Sequence, residues 1–311
     1  MTNIHLVVWF GLFNACLPIV VEGDQLYDTL CNTDVHNYAG GIGAYCGGED
    51  VWTSSYDLQV ADDFPVNGKY FITSLTADYL TVLGFCPDRL CWSVYPHDDA
   101  GCRSEDDAVA NGEEGQVACT PFEDTWYDLK GQRVSVVLST PPFLSEGRWF
   151  LSIQPSSRDW GYAPLSYTGG CEEYNIFLCA TNYRDGGERN RCCDGLGVWD
   201  NPDWQEANAG ADYPVIPMRV EGIAAGDCAD GEIVSATCKV RDGGRRGCVV
   251  VKVSNGQPNG AVTALLDPPD PQSISISLDS SGRGKGKFRG VALGEHRVFV
   301  CDSIVDVTCS P

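Results

Sequence analysis

Residues 273–278 read Ser-Ile-Ser-Ile-Ser-Leu, a strict alternation of polar and apolar side chains. Successive side chains of a strand point to opposite faces, so this run puts Ile274, Ile276 and Leu278 together on the buried face of a half-exposed strand. No helical period fits it. The same two-residue period recurs at Leu75, Ala77 and Tyr79, at Val134, Val136 and Leu138, and at Trp149, Leu151 and Ile153. Clusters of Gly, Pro, Asn and Asp separate such runs, as in Asn-Gly-Gln-Pro-Asn-Gly (255–260) and Leu-Asp-Pro-Pro-Asp-Pro (266–271). With 35 Gly and no stretch of helical periodicity, the chain is expected to be all-β.

The cysteines bound where such a protein works. There are 16 of them, none in a C-x-x-C pair, so the common zinc-knuckle and thioredoxin spacings are missing. That number points to disulfides and an oxidising compartment. The N-terminus agrees: an apolar run from Leu6 to Val21, followed by Gly23, resembles a secretory signal peptide cleaved near Gly23. No other stretch is apolar enough to cross a bilayer. The chain is therefore expected to act outside the cell. Its net charge of −22 argues against nucleic acid, whose phosphates require Lys and Arg.

Charge divides the chain in two. Residues 24–221 hold 32 acidic and 11 basic residues, whereas 222–311 hold 10 of each. The expected organisation is a signal peptide over 1–23, an acidic β-sandwich domain over 24–221, a Gly/Ala linker over 222–232 and a smaller β-sandwich over 233–311. In the first, two packed sheets would bury the alternating faces, a jelly-roll-like arrangement, and the polar stretches 96–118 and 155–214 are expected as surface loops. In the second, short runs at Cys248–Val253, Ala261–Leu266, Lys285–Phe288 and His296–Cys301 join 273–278, and about seven strands in ninety residues fit an immunoglobulin-like sandwich. The segment Ser281-Gly-Arg-Gly-Lys-Gly-Lys287 lacks the spacing of a phosphate-binding loop and reads as a hairpin with a basic exposed face.

Val-Ala-Asp-Asp-Phe (60–64), the Gly68 turn and Ile-Thr-Ser-Leu (72–75) resemble the opening of a β-sandwich module found in secreted bacterial proteins. Gly210-Ala-Asp212 and Met218-Arg-Val-Glu-Gly222 stand where that family closes the module, with Met218 in place of the usual aromatic. Gly284-Lys-Gly-Lys-Phe288 and Gly294-Glu-His-Arg-Val298 are similar to segments of its second, immunoglobulin-like module. The resemblance implies a jelly-roll-like sandwich followed by an immunoglobulin-like one, and export. The family carries no assigned activity, so no reaction follows from it.

Three groups of residues are candidates for chemistry. Asp62 and Asp63 lie in a strand-like run where Val60, Asp62 and Phe64 share a face, so one carboxylate must meet the core or a sheet edge. It is expected either to accept hydrogen bonds from a neighbouring loop or to join Asp212 from the closing strand in a structural Ca2+ site, since carboxylate oxygens suit that ion. Trp160, Tyr162, Tyr167, Trp199 and Trp204 stand among Gly, Asp and Asn. They either pack beneath long loops or bind an extracellular glycan by stacking on sugar rings. Cys228 and Cys301 flank the second sandwich and are the expected disulfide there, in a set of five cysteines that must leave one over. Catalytic signatures such as G-x-S-x-G and H-E-x-x-H are absent. A glycosidase needs just two placed carboxylates, but no pair stands out. The expectation is a binding or structural protein of the cell surface or matrix, with a carbohydrate-binding or carbohydrate-active protein as the alternative.

Overall fold

A computed structural model of the chain describes residues 23–28, 30, 38–43, 45–48, 56–82, 84–96, 108–126, 129–156, 161–167, 179–184, 188–192, 214–215, 218–241, 245–267 and 272–311. The described residues form strands and turns with no helix, and every strand pairing is antiparallel. One sheet holds nine strands: β1 (Asp24–Asp28), β2 (Tyr38–Gly43), β5 (Tyr70–Val82), β8 (Ala118–Trp126), β9 (Leu129–Val137), β10 (Phe143–Leu144), β12 (Gly161–Tyr167), β15 (Pro214–Val215) and β16 (Met218–Ala224). A second holds seven: β3 (Tyr45–Gly48), β4 (Tyr56–Val66), β6 (Arg89–Pro96), β7 (Ala110–Glu114), β11 (Gly147–Ser156), β13 (Cys179–Arg184) and β14 (Glu188–Cys192).

These two sheets share one core. Leu75, Ala77 and Tyr79 of β5 and Val134 and Val136 of β9 meet Phe64 of β4, Trp92 and Val94 of β6, and Leu151 and Ile153 of β11. The alternation seen in sequence is the alternation of burial. Each buried Val, Leu, Ile or Phe among them stabilises the fold by roughly 1.5–3 kcal/mol through the area it removes from water. Tyr79 closes the gap between the sheets with its hydroxyl, which donates to the Ile153 carbonyl at 2.6 Å.

The stretches 96–118 and 155–214 are not simply loops, because β7, β8, β12, β13 and β14 begin or lie within them. Strand β7 shows why they read as loops. It pairs with β6 at the edge of the seven-stranded sheet, and its sequence is Ala-Asn-Gly-Glu-Glu. An edge strand needs neither an apolar face nor alternation to hold its ladder, so polar edge strands escape a hydrophobicity pattern.

The remaining strands form a second sandwich-like pair. A three-stranded sheet runs in the order β17 (Ile233–Arg241), β18 (Arg246–Ser254), β21 (Gly284–Val291). A four-stranded sheet runs β20 (Gln272–Ser277), β19 (Ala261–Leu266), β22 (Gly294–Val300), β23 (Ser303–Cys309). Val249, Val251 and Phe288 from the first meet Val262, Ala264, Ile276 and Val298 from the second. Cys238 of β17 is bonded to Cys309 of β23, with 5.2 Å between Cα atoms, which ties the edge of one sheet to the edge of the other.

The segment 222–232, expected as a linker, begins on a strand and carries paired backbone groups. Gly222, Ile223 and Ala224 are the end of β16, paired with Ile72, Phe71 and Tyr70. Ala225 is fully buried; its N–H donates to the Lys69 carbonyl at 2.8 Å and its carbonyl accepts from Thr263 N at 2.8 Å. Gly226 has φ +83°, and a Cβ there would lie 2.3 Å from the Ala261 carbonyl oxygen. Glycine is required there for the chain to pass from one pair of sheets to the other. Phe71 of β5 belongs to the second core, tilted against Phe143 at 5.7 Å between ring centres. The Lys69 ammonium donates to the Cys228 carbonyl at 2.6 Å. The Arg297 guanidinium on β22 reaches Thr140 Oγ1 and the Ser139 carbonyl, each at 2.8 Å.

Candidate functional site

The residues singled out in the sequence fall in three places. Asp62 and Asp63 lie on β4, where the backbone register sets them opposite Leu151 and Phe150 of β11. Their side chains, and the whole of Asp212, lie outside the described residues. Among the described residues, β4 pairs with β3, β11 and β13, and β16 pairs with β1 and β5. Tyr162 and Tyr167 belong to β12. Their side chains, together with Trp160, Trp199 and Trp204, are outside the described residues. Cys228 and Cys301 are joined, with 5.7 Å between their Cα atoms. Cys238 and Cys309 form the second bridge of this part of the chain, and Cys248 carries a free thiol.

Two buried polar clusters look at first like chemical centres. The first is Cys228, Glu232 and Cys301, whose ligand atoms lie within 4.8 Å of one another. Both sulfurs are spent on their mutual bond, so neither is available as the thiolate a soft metal needs. The Glu232 carboxylate instead accepts from the Ala229 N–H and fixes the turn that leads into β17. The second is His296 with Asp267. The imidazole Nδ1 stands 3.4 Å from Asp267 Oδ1, while Nε2 donates to the Ala292 carbonyl at 3.0 Å. A His–carboxylate pair acts as a base when its other nitrogen faces a substrate. Here that nitrogen holds a backbone carbonyl and the ring is buried. Arg297 also pairs with Asp267, at 3.4 Å, so the cluster is a clasp between strand ends.

A third buried carboxylate serves the same purpose in the first sandwich. Glu114 Oε1 accepts from Trp92 Nε1 at 3.2 Å, from the Ser139 N–H at 2.9 Å and from Ser139 Oγ at 3.2 Å. Asp78 is fully buried and takes both arms of Arg133, at 2.7 and 2.9 Å, from the directly opposite position on β9. That bond holds the Arg133 guanidinium charged, raising its pKa above the usual arginine value.

The surface is where charge is arranged without a partner. On the outward face of β17, β18 and β21 stand Lys239, Arg246, Lys252, Lys285, Lys287 and Arg289, all exposed. The register sets Lys239 and Arg289 either side of Cys248, and Lys285 directly opposite Lys252. None of the six has an ion-pair partner among the described residues, and the three strands contain no Asp or Glu. Sequence reading caught the end of this face at 281–287 as a basic hairpin and missed the rest, because its members are spread over three separate strands. The lysine distribution was the available signal: the chain has six lysines, and four stand here. Compared with known proteins, the chain matches no family model and no curated protein.

Proposed function

We propose that this chain is an extracellular binding or structural protein of the cell surface or matrix, without catalysis, built as a jelly-roll-like sandwich followed by a smaller immunoglobulin-like one. The observation that carries the reading is the disulfide frame. Cys86–Cys119, Cys228–Cys301 and Cys238–Cys309 are bonded in an all-β body, and bonds of this kind persist in oxidising surroundings. The two later bridges close loops of about seventy residues, each worth about 4 kcal/mol on the chain-entropy account. No helix among the described residues is long and apolar enough to cross a membrane.

Strand pairing supports the second module. Taken in chain order from β17, its first, second and fifth strands pair in one sheet, and its fourth, third, sixth and seventh in the other. Seven strands split three and four, with sheets facing across an apolar core, fit an immunoglobulin-like sandwich. The same succession of modules is what the resemblance to the secreted bacterial family implies.

Fractionation of the native host tests the assignment. The protein is expected outside the cytoplasm, with an N-terminus near residue 23 when sequenced. Recovery of the chain with residues 1–23 intact in the cytoplasmic fraction would contradict it.

A further inference from the structure

We propose that the outward face of β17, β18 and β21 is a binding surface for a linear acidic glycan bearing sulfate or carboxylate groups. The inference rests on the extracellular reading for its choice of partner; the surface itself is independent of it.

In a protein with a net charge of −22, a field of six cations is not needed for solubility. It costs stability. Adjacent strands lie about 4.8 Å apart, and like charges directly opposite each other are destabilising. Lys252 and Lys285 are such a pair, with no carboxylate on the face to offset them. The sequence also works to keep the cations outward. On β21, Gly284 and Gly286 turn inward while Lys285 and Lys287 turn out. A Cβ on Gly286 would stand 2.5 Å from Ile274 Cδ1, and one on Gly284 2.7 Å from Leu278 Cδ2. The strand thus lies close against β20 and presents its lysines at intervals of about 6.7 Å.

The composition of the face selects the occupant. It carries Lys and Arg interleaved with Ser235, Thr237, the half-buried Cys248 and the largely buried Val250, with the exposed Ile233 at one end and no aromatic side chain. Protein partners are anchored by aromatic or apolar side chains in pockets, and single-stranded nucleic acid stacks its bases on aromatic rings. This face offers no aromatic ring, and its one exposed large apolar side chain among the described residues, Ile233, stands at the end of the edge strand β17. A linear glycan with regularly spaced anionic groups needs neither, since each group is met by a cation and each hydroxyl by water, Ser or Thr.

Lysine acetylation of the whole, disulfide-intact chain, read by mass spectrometry with and without heparin, tests the proposal. Heparin at low salt is expected to slow modification of Lys239, Lys252, Lys285 and Lys287 several-fold and to leave Lys130, exposed on β9, unchanged. The triple variant Lys285→Glu/Lys287→Glu/Arg289→Glu should bind heparin at least tenfold more weakly. The milder Lys285→Gln/Lys287→Gln, which removes charge without adding any, should weaken it several-fold, and melting curves check that both are folded. Equal protection of Lys130, no protection at all, unchanged binding by folded variants, or equal protection by poly-glutamate or single-stranded DNA would each overturn the proposal. A chain that is secreted and cross-linked yet ignores heparin would refute the ligand and leave the extracellular assignment standing.

Discussion

Glu114 sits in Asn-Gly-Glu-Glu, a run that reads as solvated turn, and yet it is buried and bound to three donors. Its partners lie 22 and 25 residues away, so no local pattern announces them. Tyr79 is the opposite case. Its alternation with Leu75 and Ala77 places it in the core from sequence alone, and the hydroxyl then needs an acceptor, which the facing sheet supplies. Burial, and secondarily the neighbouring Asp78 charge, push its phenol well above the ordinary value near 10. The folded state therefore keeps this proton at a pH where the unfolded chain releases it. The associated stability is complete below about pH 10, the unfolded value, and declines as pH rises beyond it. Tyr79→Phe is expected to lower stability at pH 8 by about 1 kcal/mol, from the lost hydrogen bond. It should also fall less steeply than the parent between about pH 9.5 and 11. Urea unfolding at the two ends of that range measures both effects.

At the scale of elements, strands with one apolar face were legible and strands without one were not. Ala261–Leu266 was read with the limits it has in the structure, and 273–278 lies on β20 and its end. Strands β7, β8 and β12 to β14 were hidden because polar and Gly-rich ladders carry no periodicity. The basic face was hidden for a different reason. A net charge of zero over 222–311 averages cations gathered on one sheet with acids placed elsewhere, and averaging erases the arrangement that matters. Strand β21 shows how closely an element can be specified by its smallest residues. Gly286→Val would drive a branched side chain against Ile274 and Ile276, and such overpacking costs about 1–3 kcal/mol. Thermal denaturation should show a lower midpoint for Gly286→Val, whereas Lys287→Gln, one residue on and pointing outward, should leave it nearly unchanged.

Taken whole, the molecule is two pairs of sheets spliced through a strand. The change in composition near residue 222 falls on this strand, and in the segment read as a linker the backbone groups of Ala225 are paired with Lys69 and Thr263. Phe71, Lys69 and Arg297 add contacts between distant parts of the chain, and nothing in the local sequence links them. Asp62 and Asp63 were conspicuous in sequence; their side chains, and the whole of Asp212, lie outside the described residues. What the cysteine count did convey was cross-linking, and parity left one cysteine of the last five without a partner among them. That cysteine is Cys248. Alkylation of the protein from its native host without reduction, followed by peptide mass spectrometry, tests the cross-linked extracellular body most directly. The account predicts peptides linked through Cys86–Cys119, Cys228–Cys301 and Cys238–Cys309, with Cys248 alkylated. Recovery of these six bridge cysteines as alkylated thiols would contradict it.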